Sequence, residues 1–166
     1  MLTILPAGIQ EIPVIQDIAF RSWQVAYKDI LALAQLNYML EKLYSFETLE
    51  YQHNKLNFTS VLALDENLPV AFATYSPKEN FDNIYRLHKI YILPDQQGKG
   101  TGRYLLEHII SELKARNATI LELNVNRQNK ARIFYEKFGF TIVGEEDIPI
   151  GNGYFMNDYI MQKVLI

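Results

Sequence analysis

The 166-residue sequence predicts an α/β fold: a single domain over residues 1–166, with a mixed central β-sheet flanked by helices. Three observations predict it. Apolar alternation at period two and apolar recurrence at helical spacing follow one another along the chain, most regularly in its C-terminal half. An apolar strand pattern, Ile90-Tyr91-Ile92-Leu93, passes into a helical one through Gly98, Gly100 and Gly102. Finally, 49% of the residues are hydrophobic, enough for a substantial core at this length.

Taken in order, Leu2 to Pro6 reads as a first strand, with a turn at Gly8. Ile12, Ile15, Ile18 and Ala19 recur at helical spacing, and Pro13 is tolerable in a first turn. This helix is expected to run past Trp23 and Tyr27, whose rings then share one face, as do Tyr38 with Lys42 and Leu40 with Tyr44. That aromatic face suits core packing or the wall of a ligand pocket. Val61–Leu64 and Leu68–Tyr75, separated by Asp65-Glu66-Asn67, form a hairpin. Ile84–Leu93 is a strand with Tyr85, Leu87, Lys89 and Tyr91 on one face and Ile84, Arg86, His88, Ile90 and Ile92 on the other. Neither face is wholly apolar, which fits the edge of a site or a partly exposed strand. From Thr101, the residues Leu105, Leu106, Ile109, Ile110 and Leu113 mark a helix face opposed by Arg103, Glu107, Ser111, Glu112 and Lys114. Thr119–Val125 is a strand parallel to the one before the loop, reached by a right-handed crossover. Ala131–Phe138 is a short helix stopped by Gly139, Phe140–Val143 is a strand, and Gly151-Asn152-Gly153 turns the chain into a long last strand, Tyr154–Leu165.

Composition narrows the function classes. No apolar run reaches the roughly 18 residues of a membrane span, and no basic segment followed by an apolar core opens the chain, so cytoplasmic residence without a membrane partner is expected. A net charge of −3 gives no overall drive toward nucleic acid. Without cysteine there is no disulfide, thiolate zinc site or cysteine nucleophile. His53, His88 and His108 stand apart from one another and from carboxylates at ligand spacing, so no metal is expected. No G-x-S-x-G occurs, which leaves a serine hydrolase unsupported.

The glycine loop carries the functional signal. Glycines accept φ > 0 and leave room for a guest, and the helix that follows offers unpaired N–H groups and a partial positive charge, a setting for phosphate or pyrophosphate. A P-loop is excluded, since Leu93 stands where its first glycine belongs and Gly100 where its Ser or Thr belongs. A dinucleotide fingerprint needs G-x-G-x-x-G directly after the strand; here G-x-G-x-G follows a spacer opened by Pro94, although Glu122 lies where a ribose-binding acid would.

Gln97-Gly98-Lys99-Gly100-Thr101-Gly102 instead resembles the Q/R-x-x-G-x-G/A pyrophosphate loop of the GNAT superfamily of N-acetyltransferases. Asn129-Lys130-Ala131-Arg132-Ile133-Phe134-Tyr135-Glu136-Lys137-Phe138-Gly139-Phe140 resembles its second motif. The resemblance covers roughly the C-terminal half of the chain. It implies acetyl-CoA as donor, a primary amine as acceptor, and direct attack of the amine on the thioester; the lack of an extended acidic or basic run favours a small molecule as that acceptor. It implies further that Gln97, Gly98, Lys99, Gly100, Thr101, Gly102 and Arg103 hold the pyrophosphate. A main-chain amide within Ile90, Tyr91 and Ile92 would meet the carbonyl oxygen, and Tyr135 would return a proton to the leaving thiolate. Asn129 is similar to a cofactor-contacting asparagine, though one residue closer to Tyr135 than is usual, so Gln128 is an alternative. Trp23 and Tyr27 fall in the segment that covers the acceptor in relatives. Where many relatives carry a glutamate base, this chain has Arg86, and a guanidinium cannot accept a proton. His88, Glu122 or ordered water is then the base, and Arg86 either binds an acceptor carboxylate or pairs with a surface acid. The long last strand is compatible with a homodimer. A non-catalytic acyl-CoA-binding module and a dinucleotide-binding oxidoreductase are the alternatives.

Overall fold

The computed structural model describes every residue from Met1 to Ile166. Strands β1 (Leu2–Ala7), β2 (Thr59–Asp65), β3 (Leu68–Pro77), β4 (Ile84–Ile92), β5 (Ile120–Asn126), β6 (Thr141–Gly151) and β7 (Tyr154–Val164) form one sheet in the order β1-β2-β3-β4-β5-β7-β6. Helices α1 (Ile12–Ala26), α2 (Leu33–Leu43), α3 (Phe46–Lys55), α4 (Thr101–Ala115) and α5 (Ala131–Lys137) accompany it. β4 and β5 run parallel while β1–β2, β2–β3, β5–β7 and β6–β7 are antiparallel, so the sheet is mixed, as the pattern of periods predicts. No helix is long and apolar enough to cross a membrane.

The chain packs as two compact units, Met1–Ser76 with His88–Ile109, and Pro77–Leu87 with Ile110–Ile166. In the first, α1 buries Ile12, Ile15, Ile18, Ala19, Ser22 and Trp23, a stripe at spacings of three and four. Full burial of each Ile contributes about 1.5–3 kcal/mol. The helix stops at Ala26 and does not run past Tyr27. Tyr27 leaves helical geometry at φ −110°, its N–H still reaching Trp23 O at 3.1 Å. The amides of Ile30 and Leu31 then both return to Tyr27 O at 3.0 Å, turning the chain toward α2. α3 was not foreseen from periodicity, because only Leu49 of its residues is buried. Its sequence signal is Ser45, whose Oγ accepts from Thr48 N–H at 3.1 Å and caps it. The β2–β3 hairpin turns through Glu66 and Asn67, both left-handed at φ 48° and 68°.

In the second unit β5 buries Leu121, Leu123 and Val125, and it also buries Glu122 and Asn126 from the other face. α5 ends before Gly139, which sits at φ +99°. β6 is much longer than the expected Phe140–Val143. It pairs with β7 from Thr141 opposite Gln162 to Gly151 opposite Tyr154, and it is exposed along most of its length. An outer strand held by main-chain bonds to one neighbour needs no alternation, so its sequence gives little sign of it.

Candidate active site

In the first unit β4 delivers the chain to the glycine loop. Pro94–Gln96 makes a single tight turn, Gln97 is extended, and Gly98 and Gly100 adopt φ +78° and +82°. A Cβ at either would meet no atom within 4 Å, so the left-handed backbone requires glycine there rather than lack of space. Gly102 differs, lying inside the first turn of α4 without a positive φ. Tyr104 N–H donates to Gly100 O at 3.0 Å and closes that turn, and the amides ahead of it have no intrahelical acceptor. Thr101, 1% exposed, carries a buried Oγ1 with no hydrogen-bond partner. Gln97 and Lys99 are exposed; Arg103 is also exposed, with its Nε 2.8 Å from Glu107 Oε1. Two left-handed glycines, a helix N-terminus and an unpartnered hydroxyl fit a pyrophosphate.

The strand feeding this loop pairs with β5 in its first half. The register of β4 with β5 runs over Ile84–Leu87, opposite Ile120–Leu123, and His88–Ile92 carries the strand on toward the loop. Ile90, Tyr91 and Ile92 are half-buried, and Gln97 Nε2 reaches back to Ile92 O at 3.4 Å. His88 shares a face with Ile90 and is exposed. Its ring stacks on Phe58 at 4.1 Å with an 8° interplanar angle, and its Nε2 lies 2.7 Å from Ser76 Oγ.

Trp23 and Tyr27 are buried in the first unit. They are 3% and 5% exposed, and their ring centroids are 4.7 Å apart. Trp23 also packs on Tyr44 and Tyr91 at 5.7 and 5.8 Å. Tyr27 reaches the half-buried Tyr91 hydroxyl to hydroxyl at 3.3 Å. Lys89 was not singled out by its sequence, where it is one cation on a mixed strand. In the structure its Nζ donates to Gln52 Oε1 at 2.7 Å and lies 4.9 Å from the Tyr44 ring centroid, beside a narrow pocket that Gly8, Leu49, Ser60 and Thr74 also line. Burial lowers its pKa to about 8.

The second unit holds Arg86, Asn129 and Tyr135. Arg86 stands opposite Glu122 in the β4–β5 register and pairs with it, while its other terminal nitrogen donates to Asn124 Oδ1 at 2.7 Å. It is therefore engaged by its own chain, which removes the expectation that it awaits an acceptor carboxylate. Glu122 is 3% exposed and also accepts from Gln162 at 2.8 Å and Lys78 at 3.0 Å. Burial pushes its pKa up, but those bonds and the charges of Arg86 and Lys78 outweigh burial and hold it below the ordinary carboxylate value. A carboxylate so held is a poor base. Tyr135 is 8% exposed and edge-packed on Phe134 and Phe140 at 5.5 and 5.7 Å. Asn129 Oδ1 accepts from Ala131 N–H at 2.9 Å and so starts α5, and the exposed Gln128 donates its N–H to Asn126 Oδ1 at 2.9 Å. Asp158, also missed in sequence, is 6% exposed, with Oδ1 unpartnered and Oδ2 accepting from Asn124 at 3.3 Å. No group of three or more His, Asp or Glu side chains is placed to hold a metal ion.

Residues 57–142 match the family model of the acetyltransferase (GNAT) domain. The chain is 27% identical over 154 residues, 90% of its own length and 86% of the relative's, to the uncharacterized N-acetyltransferase YuaI of Bacillus subtilis strain 168. It is 43% identical over 60 residues to the 5-NmdU N-acetyltransferase of Pseudomonas phage PaMx11, a match covering 36% of this chain and 41% of that one. A ribosomal protein bS18-alanine N-acetyltransferase of Haemophilus influenzae is 46% identical over 57 residues, 34% of this chain and 39% of the relative. Among solved structures, the PaiA N-acetyltransferase of Thermoplasma acidophilum in complex with coenzyme A superposes with a TM-score of 0.82 at 22% identity, covering 99% of both chains.

Proposed function

The chain belongs to the acetyltransferase (GNAT) family, and from that premise we propose that it transfers the acetyl group of acetyl-CoA to a primary amine of a small acceptor by direct attack. The observation that carries this reading is the loop after β4, whose two left-handed glycines lead to the head of α4 beside the buried, unpartnered hydroxyl of Thr101. Acetyl-CoA supplies the thioester. Gln97 to Arg103 hold its pyrophosphate on main-chain amides, with Thr101 Oγ1 and the Lys99 charge in support. The edge of Ile90–Ile92 pairs with its amide-bearing arm and donates an N–H to the carbonyl oxygen as charge builds there.

An alkylammonium has a pKa near 10.4, so it must lose a proton before it attacks. His88, exposed and one strand pair from Ile90, takes that proton. As the nitrogen–carbon bond forms and the carbon–sulfur bond breaks, Tyr135 gives a proton to the sulfur, and the second proton shed by the attacking nitrogen returns through solvent to the Tyr135 phenolate. Asn129 adds an amide to cofactor binding. Arg86, Glu122 and Lys78 form a framework that shapes the second unit.

CoA release from acetyl-CoA is to be measured across polyamines, amino acids, aminoglycosides and short peptides including alanine-terminated ones, with Tyr135→Phe alongside. One small-amine class is expected to turn over, with the variant slower by about tenfold or more. The match to a ribosomal-protein alanine acetyltransferase favours a second reading, in which a protein N-terminus is the acceptor, and turnover confined to the alanine peptides would select it. Binding of acetyl-CoA without turnover of any acceptor would leave a binding module.

A further inference from the structure

We infer that the narrow pocket beside Lys89 is an anion site, and that its occupant is a small carboxylate of about the size of formate. The pocket lies wholly within the first unit, among the end of β1, the first turn of α1, helix α3 and the strands β2, β3 and β4. Lys89 stands in it as a cation with no counter-ion. Its Nζ uses one of three N–H groups on Gln52 Oε1 at 2.7 Å and rests against the Tyr44 ring, and neither partner is charged. Burial alone moves its pKa, downward, and no carboxylate offsets that shift. A second donor lies on the sheet. Ser60 and Thr74 are opposite each other in the β2–β3 register and line the same pocket, with their hydroxyls 2.7 Å apart. Two hydroxyls joined by one hydrogen bond use one O–H and leave the other to donate. Ammonium and hydroxyl together suit the two oxygens of a carboxylate, whereas a halide has a single centre to offer them. Ile12, Ile15 and Leu49 make the rest of the lining apolar, and the space is little larger than a water molecule, which disfavours bulky or strongly hydrated anions. The exposed His53 stands at the rim, and Glu11, next to Ile12, directs its carboxylate to the Gly8 N–H at 3.0 Å. An anion that enters supplies the charge Lys89 lacks, so it stabilises the folded chain over the unfolded one.

The test is thermal unfolding of the full chain in sodium formate, against sodium chloride and sodium methanesulfonate at equal ionic strength. No acetyl donor is present, so the outcome is independent of the acetyl-transfer reading. Formate is expected to raise the melting temperature saturably, by about 3 °C at ten times its dissociation constant, and by more than chloride does. Methanesulfonate, too large for the space, sets the baseline. Two variants remove the site in opposite ways: Lys89→Met deletes the cation, and Gln52→Glu gives it a carboxylate from the chain itself. Each should melt at the same temperature in formate as in methanesulfonate, and Thr74→Val should weaken the formate response severalfold. A formate response that persists in Lys89→Met or in Gln52→Glu, or no rise over methanesulfonate in the wild type, overturns the site. Chloride matching formate overturns the carboxylate as its occupant.

Discussion

Lys89 carries its charge among groups that offer an amide oxygen and an aromatic face but no carboxylate. Its pKa falls from 10.5 to about 8 through burial alone, so between those values the folded chain binds fewer protons than the unfolded one. Unfolding free energy therefore rises with pH across that window, and below it the folded chain bears the whole penalty, on the order of 3 kcal/mol. Lys89→Met keeps the aliphatic stem and drops the charge. Urea unfolding should find it more stable than wild type by about 1–3 kcal/mol at neutral pH, with the gap closing toward pH 10.5. A less stable variant at neutral pH would mean that the Gln52 bond and the Tyr44 ring outweigh desolvation. Such contacts were invisible in the sequence, since Gln52 and Lys89 are 37 positions apart. The same is true of Arg86 and Glu122, 36 apart, whose pairing redirected the role expected of Arg86. Periodicity gives the face of a side chain but not the residue it meets there.

Elements were legible in proportion to how local their causes are. The glycine loop was readable because left-handed backbone at Gly98 and Gly100 is a property of those residues themselves. Gly100→Ala is expected to cost about 1–2 kcal/mol of stability from backbone strain alone, since no neighbour crowds a Cβ there. The larger effect should be on the ligand: the rise in melting temperature given by acetyl-CoA should shrink severalfold, and an undiminished rise would place the pyrophosphate elsewhere. α3 shows the opposite case, a helix with one buried residue that no apolar stripe announces. Its start rests on Ser45, so Ser45→Ala should lower the unfolding free energy by about 1 kcal/mol, measured by denaturant titration. β6 is legible in neither way, because pairing with β7 holds it. Its acidic residues meet a local cation instead: Arg127 bonds Glu145 at 2.9 Å and also pairs with Asp147.

Across the whole molecule, two buried carboxylates, Glu122 and Asp158, contribute to the acid response with shifts in opposite directions. Glu122 titrates below its ordinary 4.5, held down against burial by Gln162, Lys78 and Arg86. The unfolded chain therefore binds its proton first, and the stability it supplies is present above about pH 4.5 and lost as pH falls through the folded value. Asp158 titrates above its ordinary 3.8, raised first by burial and also by Glu146, against the pull of Asn124, Arg127 and Arg86. Folding favours its protonated form, so it stabilises the chain on moderate acidification and costs stability once ionised. Removing one charge should therefore do the reverse of removing the other. Glu122→Gln strands Lys78 and Arg86 without their shared carboxylate and should lose about 3 kcal/mol at neutral pH, with a flattened acid limb below pH 4.5. Asp158→Asn should gain stability at neutral pH and fall away more steeply than wild type as the pH drops. Far-UV circular dichroism during urea unfolding at stepped pH reads both limbs. Parallel curves for the two variants would mean that Asp158 is held ionised by its cations, as Glu122 is, and that burial is not what governs it.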